Sequence, residues 1–113
     1  MATETNMDDL VFFVGDDWPT IPFVMDPVVD ITSWDLEFSL YPDNNITSAA
    51  ILTRTTGSSQ ITITSGILGT FEVGSIPAAL TVALSPKAYV WRVHRTTSGV
   101  RRELAFGTIP VRA

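Results

Sequence analysis

Strict alternation of apolar and polar side chains in two segments, residues 34–41 and 89–94, most constrains how this chain can fold. A period of two residues puts alternate side chains on opposite faces of a β-strand, whereas a helix repeats every 3.6 residues. Both segments are therefore predicted to be strands with one buried face. The apolar sets are Trp34, Leu36, Phe38 and Leu40 in the first segment, and Tyr89, Trp91 and Val93 in the second.

Other short apolar or alternating segments, separated by turn residues, predict further strands. No long amphipathic helix interrupts them, and this pattern is typical of two sheets packed face to face. We therefore expect an all-β chain with the fold of an immunoglobulin-like antiparallel β-sandwich of about 7–9 short strands. The further predicted strands are residues 10–14, 21–25, 50–55, 61–65, 69–73, 100–106 and 108–111.

Turn residues lead to predictions for the connections. Asp30-Ile31-Thr32-Ser33 predicts a turn before residue 34, and Gly57-Ser58-Ser59 predicts a hairpin between residues 50–55 and 61–65. Gly107 predicts a bulge before the last strand. Residues 76–86, with two prolines among Ala and Leu, allow either one helical turn or a strand at residues 80–84, and both alternatives stay open.

Two prolines and one predicted hairpin place particular strands. Pro22 and Pro110 predict that residues 21–25 and 108–111 lie at sheet edges, because proline donates no backbone hydrogen bond. A turn at residues 96–99 predicts a closing hairpin in which apolar residues meet apolar ones and charge meets countercharge. That register pairs Arg95 with Val100, Trp91 with Leu104, Tyr89 with Phe106, and Arg92 with Glu103.

Composition limits the chain to one domain held by packing alone. Its 113 residues are 45% hydrophobic and 17% charged, which suffices for one core, and no Cys is present to form a disulfide. We expect an N-terminal arm at residues 1–9 and a single sandwich domain at residues 10–113. The polar, acidic start is not that of a secretory signal, so we expect a soluble product made in the cytoplasm.

Charge is divided between the two halves of the sequence. Residues 1–53 contain ten Asp or Glu and no Lys or Arg, whereas residues 54–113 contain seven Lys or Arg and two Glu. Such a division favours pairing between the halves, within one copy or between copies, over general attraction to nucleic acid or anionic membrane. An alternative is that the division is an accident of solvated faces.

Residues suited to catalysis or metal binding are scarce. His94 is the only histidine, and it lies at an outward strand position between Arg92 and Arg95. The pairs Asp8-Asp9 and Asp16-Asp17 lack the spacing of a calcium loop, so turn and capping roles are favoured for them. Gly66-Ile67-Leu68-Gly69 lacks the lysine and helix of a phosphate loop. We therefore expect no catalytic residues, no metal and no cofactor.

Candidate interface residues lie in two places. The basic residues of the closing hairpin, with Trp91 nearby, could suggest nucleic acid, but Trp91 falls on the apolar face of its strand, so an acidic protein surface is favoured. Trp18 is either a plug at one end of the sandwich or an anchor in a partner pocket. The candidate partner-interface residues are Asp16, Asp17, Trp18, Arg92, Arg95, Arg101 and Arg102.

A family resemblance adds a biological setting. The order Leu10-Val11-Phe12-Phe13-Val14-Gly15-Asp16-Asp17-Trp18, then Asp30-Ile31-Thr32-Ser33-Trp34, resembles small structural proteins of tailed bacteriophages. It is similar in particular to the N-terminal immunoglobulin-like domain of upper baseplate proteins. The final hairpin, from Tyr89-Val90-Trp91 to Gly107, resembles that of the same group, and the similarity covers about residues 10–112.

The resemblance implies a non-enzymatic virion component, present in many copies and assembled in the host cytoplasm. Its partners would be other virion proteins and further copies of itself, with no nucleic acid and no membrane. A tail, baseplate or fibre-attachment adaptor is the first expectation. Because the sequence ends at Ala113 without the receptor-binding or coiled-coil region of baseplate proteins, a capsid decoration or cement protein is an alternative. Another is a carbohydrate or cell-surface binding module with Trp18 and Tyr41 as stacking residues.

Overall fold

The computed structural model describes residues 2–4, 12–42, 49–97 and 101–113, which form nine strands and one helical turn. The chain is nearly all β, as its alternating segments predict. Leu10 and Val11, Asp8-Asp9, the turn residues 43–45, and residues 98–100 lie outside the described residues. The elements are β1 (Ala2–Glu4), β2 (Phe12–Phe13), β3 (Ile21–Met25), β4 (Leu36–Tyr41), β5 (Leu52–Thr55), β6 (Ile61–Ser65), β7 (Thr70–Val73), α1 (Ala78–Thr81), β8 (Lys87–Arg95) and β9 (Arg102–Arg112).

Two sheets pack face to face, so the predicted β-sandwich is confirmed. One sheet has the order β1-β3-β7-β6 and the other the order β2-β9-β8-β4-β5. This is the immunoglobulin arrangement, in which strands A, B, E and D form one sheet and the remaining strands form the other. Here β1, β3, β7 and β6 take the places of A, B, E and D. Every pair is antiparallel except β2 with β9, which run parallel at Phe12–Val111 and Phe13–Arg112.

An aromatic cluster fills the centre of the core. Phe23 of β3 stacks on Phe71 of β7 at 5.1 Å between ring centroids, and it meets the edge of Trp91 of β8 at 5.4 Å. Trp91 also stacks on Phe38 of β4 at 6.3 Å. In antibody domains a disulfide joins the strands equivalent to β3 and β8. Here the contact between Phe23 and Trp91 joins the two sheets in a chain without cysteine.

Tyr89 forms a tyrosine corner at the start of β8. Its hydroxyl accepts a hydrogen bond from the Ser85 backbone N–H at 2.8 Å and donates one to the Ser85 carbonyl at 3.0 Å. Immunoglobulin-type sandwiches carry such a tyrosine two residues before the second disulfide cysteine. Trp91 occupies the position of that cysteine in this sequence, which agrees with its place in the core.

The predicted hairpin between β5 and β6 is wrong. β5 pairs with β4 in the five-stranded sheet, whereas β6 pairs with β7 in the four-stranded sheet. The segment between them crosses from one sheet to the other, with Ser59 at a positive φ of 59°. Period-two alternation identifies a strand but does not specify its partner, so the Gly57 turn misled the prediction.

The predicted register of the closing hairpin is also wrong, by three residues. Trp91 pairs with Gly107 and Arg92 with Phe106. Arg95 pairs with Arg102 and not with Val100, which shifts the register by two residues, and a bulge at Leu104, not at the predicted Gly107, adds the third. A Cβ at residue 107 would lie 2.7 Å from a Trp91 ring carbon, so glycine makes room for the indole. Both Leu104 and Ala105 are buried, as expected for an extra residue in one strand.

Other local predictions had mixed outcomes. β3 lies between β1 and β7 and not at an edge, because Ala2–Glu4 of the predicted arm pairs with Phe23–Met25. The edge position predicted for residues 108–111 is also wrong, because β9 lies between β8 and the two-residue edge strand β2. Of the two alternatives for residues 76–86, the helical turn α1 is observed. This turn is the only helix among the described residues, and none there is long and apolar enough to cross a membrane.

Candidate docking surface on the five-stranded sheet

The outer face of the five-stranded sheet collects charged and aromatic side chains from three strands. Alternation buries Leu36, Phe38 and Leu40 of β4, so Glu37 and Tyr41 point outward. On β8 the outward residues are Arg92 and His94, which pair with Ser39 and Glu37 of β4 on one side. On the other side they pair with Phe106 and Glu103 of β9. We call this set, Glu37, Tyr41, Arg92, His94, Arg101, Glu103 and Phe106, the charged face.

Arg92 occupies the middle of the charged face. Its Nη1 donates a hydrogen bond of 2.6 Å to Glu103, and its guanidinium lies 5.9 Å from the Tyr41 ring centroid and 6.0 Å from that of Phe106. Cations attract the faces of aromatic rings at such distances. The guanidinium is thus held by one ion pair and two rings before any partner arrives.

Arg101 links the start of β9 to β4 across β8. Its Nη1 donates a hydrogen bond of 2.8 Å to Glu37, and its Nη2 lies 3.4 Å from Nδ1 of His94. Partial burial lowers the pKa of His94, and the positive charge of Arg101 lowers it further. His94 is therefore mainly neutral at pH 7, and the charged face has two cations matched by two carboxylates.

A shallow cavity of about 200 Å³ opens on this face, lined by Tyr41, Arg92, His94 and Arg101. Phe106, beside Arg92, is 61% exposed, although it is a large apolar side chain. Tyrosine and arginine are among the residues that dominate the binding energy of protein interfaces. The combination of exposed aromatic rings, guanidinium groups and a small cavity suits contact with another protein.

The arrangement offers little for catalysis. Glu37 and Glu103 each accept a hydrogen bond from an arginine, and the one histidine adjoins a guanidinium. Ser39 donates a hydrogen bond of 3.2 Å to Glu37, but its hydroxyl is buried and the same carboxylate oxygen also accepts from Arg101, so this pair is poorly placed to act as nucleophile and general base. The expectation that the chain is not an enzyme stays a prediction.

Two of the predicted basic interface residues, Arg92 and Arg101, belong to the charged face, and two do not. Arg95 pairs with Leu36, and its guanidinium lies 4.0 Å from the Trp34 ring centroid, where it stacks on the indole. Arg102 is exposed opposite Arg95 at the start of β9. The four basic residues therefore lie in different surroundings and do not form one patch.

Trp18 is a plug and not an anchor. Its side chain is 0% exposed, its indole N–H donates to the Phe13 carbonyl at 2.9 Å, and its ring meets the edge of Phe12 at 5.1 Å. The interface role predicted for Trp18 is therefore wrong, because the first turn of the sandwich folds over it. Of the two readings left open by the sequence, the plug is observed.

The acidic neighbours of Trp18 lie at the end of the sandwich opposite the start of β4. The Asp17 carboxylate accepts a hydrogen bond of 2.7 Å from the Ala78 backbone N–H, which caps α1. Asp16 is exposed in the turn that follows Phe13, and its carbonyl accepts a hydrogen bond from the Thr81 hydroxyl. The predicted interface residues thus divide between two separate regions of the molecule.

Sequence reasoning missed the aromatic part of the charged face. The alternation already placed Glu37 and Tyr41 outward, so these two could have been found. Phe106 could not, because the wrong register put it opposite Tyr89 on the inner face. Leu104 forms a bulge. Each residue of β9 after the bulge therefore lies on the opposite side of the sheet from the one that strict alternation predicts.

The charge division of the sequence is partly satisfied within one copy. Glu37 belongs to the acidic half and Arg101 to the basic half, and they form an ion pair. Arg54 is only 8% exposed and lies next to Phe38 on the inner side of the sheet.

No protein-family model matches the sequence, and no curated protein matches it significantly.

Proposed function

We propose that this chain is a non-enzymatic structural protein of a tailed-bacteriophage particle that docks on other virion proteins through the charged face. The observation that carries the docking role is Arg92, held between the rings of Tyr41 and Phe106 beside Glu103. The virion setting is supported by the resemblance of residues 10–34 and 89–107 to phage baseplate domains.

The charged face is suited to docking because its side chains are already ordered. Two ion pairs, Arg92 with Glu103 and Arg101 with Glu37, fix both guanidinium groups. Ordering a long side chain on binding costs about 0.5–1.5 kcal/mol, so a preordered arginine loses less free energy in the complex. Phe106 supplies exposed apolar area beside them.

Two locations in the particle are consistent with this role. A tail, baseplate or fibre-attachment adaptor agrees best with the resemblance, and a capsid decoration or cement protein is the alternative. Both need a rigid domain with one specific protein-binding face. In either case the chain is assembled in the host cytoplasm and resides in the virion.

The carbohydrate-binding alternative loses one of its two stacking residues. Trp18 is fully buried, and Tyr41 has the Arg92 guanidinium 5.9 Å from its ring centroid. A sugar ring stacks on an open aromatic face, so Trp18 cannot supply one, and this alternative is left with Tyr41 alone. No second function is therefore proposed.

The test uses phage particles made from a genome that lacks the gene, with the chain supplied from a plasmid. The quantity measured is the number of copies per particle, by mass spectrometry of purified particles. The variant R92A/F106A is expected to reduce occupancy at least about tenfold, as expected when interface hot spots are truncated. The matched control, Thr62→Ala, changes the outer face of the other sheet and should leave occupancy unchanged.

Two results contradict the proposal. Wild-type protein absent from purified particles excludes the virion role. Equal occupancy of R92A/F106A and wild type excludes the charged face as the docking surface. Separating heads from tails before the measurement then assigns the protein to tail or capsid.

A further inference from the structure

Exposed large apolar side chains of the described residues concentrate at the two ends of the sandwich. Nine such side chains are more than a third exposed. Ile51 lies before β5 and Phe106 lies on the charged face, and the others divide between the ends. Val28, Val29, Ile67 and Leu68 form one group, the apolar tip, and Phe13, Leu80 and Val82 form the other, the apolar base.

The apolar tip is built from two loops tied together. The Ile31 N–H donates to the Gly66 carbonyl at 2.8 Å, and the Met25 N–H donates to the Gly69 carbonyl at 2.9 Å. Gly69 has a positive φ of 69°, and a Cβ there would lie 2.7 Å from the Val29 carbonyl oxygen, so only glycine allows this approach. The β3–β4 loop and the β6–β7 turn therefore present their apolar residues as one surface.

Ile67 and Leu68 are unusual residues for the turn of a hairpin. They are 74% and 59% exposed, in a position where polar residues are the rule. Val28, on the adjoining loop, is 63% exposed. Exposed apolar groups that adjoin one another mark contact sites with other molecules.

The charges on the loop that carries Val28 and Val29 of the apolar tip are negative. Asp26 and Asp30 are exposed on the same loop as Val28. Hydrogen bonds from the Thr32 hydroxyl and backbone N–H lower the pKa of Asp30, which keeps its carboxylate charged. The cations at this end of the molecule, Arg95, Arg101 and Arg102, belong to the five-stranded sheet. An acidic rim of this kind disfavours an anionic lipid surface.

The apolar base lies at the opposite end and has cations beside it. Leu80 and Val82 belong to α1 and its C-terminus, which is joined to the first turn by the Thr81 hydrogen bond to the Asp16 carbonyl at 2.7 Å. Phe13 pairs with Arg112, and Lys87 pairs with the neighbouring Val111. Lys87 and Arg112 are both exposed. The adjoining turn adds Asp16, which is exposed, and Asp17, which caps α1, so the base bears charges of both signs.

We propose that the apolar tip of one copy docks on the apolar base of a second copy, so that copies associate head to tail. Apolar surface meets apolar surface, and Asp26 and Asp30 approach Lys87 and Arg112 of the next copy. A symmetric contact between two tips would instead bring four carboxylates together. A head-to-tail contact generates a ring if it closes and a filament if it does not. This inference is independent of the docking role of the charged face.

The experiment is sedimentation velocity of the purified chain from roughly micromolar to millimolar concentration, where weak contacts become populated. Wild type should form species larger than a dimer as concentration rises. Leu68→Asp at the tip and Val82→Asp at the base should each weaken association at least about tenfold, since each buries a charge in an apolar contact. Ile51→Asp, the same kind of change beside β5 at the opposite edge of the five-stranded sheet from Phe13, should associate like wild type.

Mixing the two variants distinguishes head-to-tail contact from all others. The tip variant keeps an intact base and the base variant keeps an intact tip, so the mixture should form a one-to-one dimer and nothing larger. Ile67→Asp and Leu80→Asp serve as replacements if circular dichroism shows that a first variant is unfolded. Wild type that stays monomeric at millimolar concentration overturns the inference, and so does a mixture with no dimer.

Discussion

The two outer faces of the sandwich share a backbone design and differ in every other respect. The charged face carries two ion pairs, a shallow cavity and two rings beside Arg92. The outer face of the four-stranded sheet, which we call the threonine face, consists of Pro22, Val24, Thr62, Thr64, Thr70 and Glu72. A hydrogen bond of 2.7 Å joins the Thr64 and Thr70 hydroxyls on this face.

The difference separates folding from binding. Both faces lie over the same aromatic core. Folding around this core requires apolar side chains on the inward side of each strand and places few requirements on the outward side. Threonine meets that need through its preference for strands. The ion pairs of the charged face are a small part of what holds the strands, because partly exposed ion pairs contribute on the order of 1 kcal/mol each. Within the part of the chain that the structure describes, both ion pairs lie on the charged face, and this motivates the proposed partner there.

Removing the core that the faces share should have the largest effect. Trp91→Ala should lower the free energy of unfolding by about 3–5 kcal/mol, because it deletes the ring that contacts both Phe23 and Phe38. Urea denaturation measures this loss. Val90→Ala, on the outward side of the same strand, should cost less than about 1 kcal/mol. Similar losses for both variants would show that the core is misassigned.

Crowding the same core from β9 should come next. Gly107→Ala puts a methyl group 2.7 Å from the Trp91 ring, and overpacking of this kind costs about 1–3 kcal/mol. Because Trp91 contacts Phe23 and Phe38 across the core, the loss should appear as a lower urea midpoint for the whole domain. An unchanged midpoint would show that the indole yields to the methyl group without cost.

Breaking an ion pair of the charged face should cost little stability. Arg101→Ala removes the partner of Glu37, and because the arginine side chain is 49% exposed, the loss should be about 0–1 kcal/mol. The same variant should raise the pKa of His94 toward its ordinary value, since Arg101 is one cause of its lowering. An NMR titration of the imidazole measures this change, and an unchanged pKa would show that the two groups do not interact in solution.

The smallest effect is a pH dependence confined to the charged face. The pKa of His94 is lower in the folded chain than the ordinary 6.5, so below pH 6.5 the unfolded chain binds the proton more readily. Stability should therefore decrease as pH falls through 6.5 toward the lower folded pKa. His94→Gln should remove that part of the slope in urea midpoints. A wild-type slope retained in the variant would assign it to other groups.

The parts of the fold that sequence predicted are those set by neighbouring residues. The alternation correctly buried Leu36, Phe38 and Leu40, and the predicted turn at residue 30 forms through the Asp30 carboxylate and the Thr32 N–H. Partners of a strand depend on distant residues, so β5 was joined to β6 although they lie in different sheets. The residue pattern of one strand does not specify which other strand it pairs with.

The candidate site was only half predictable for the same reason. Arg92 and Arg101 were found because their charge is visible in the sequence, and the ion pair of Arg92 with Glu103 forms in spite of the wrong register. Phe106 was missed because one bulged residue, Leu104, decides which side of the sheet it occupies. The sequence alone could not exclude an interface role for Trp18, because whether an aromatic residue near a turn is buried depends on the whole fold.

The measurement that tests the central claim most directly is hydroxyl-radical footprinting of the chain, free in solution and in purified particles. The rate of oxidation of Phe106 and Tyr41 reports on the charged face, and that of Val24 reports on the threonine face. The account predicts that Phe106 and Tyr41 are protected in the particle while Val24 reacts at its free rate. Oxidation of Phe106 at the same rate in both states, with protection at Val24, would contradict it.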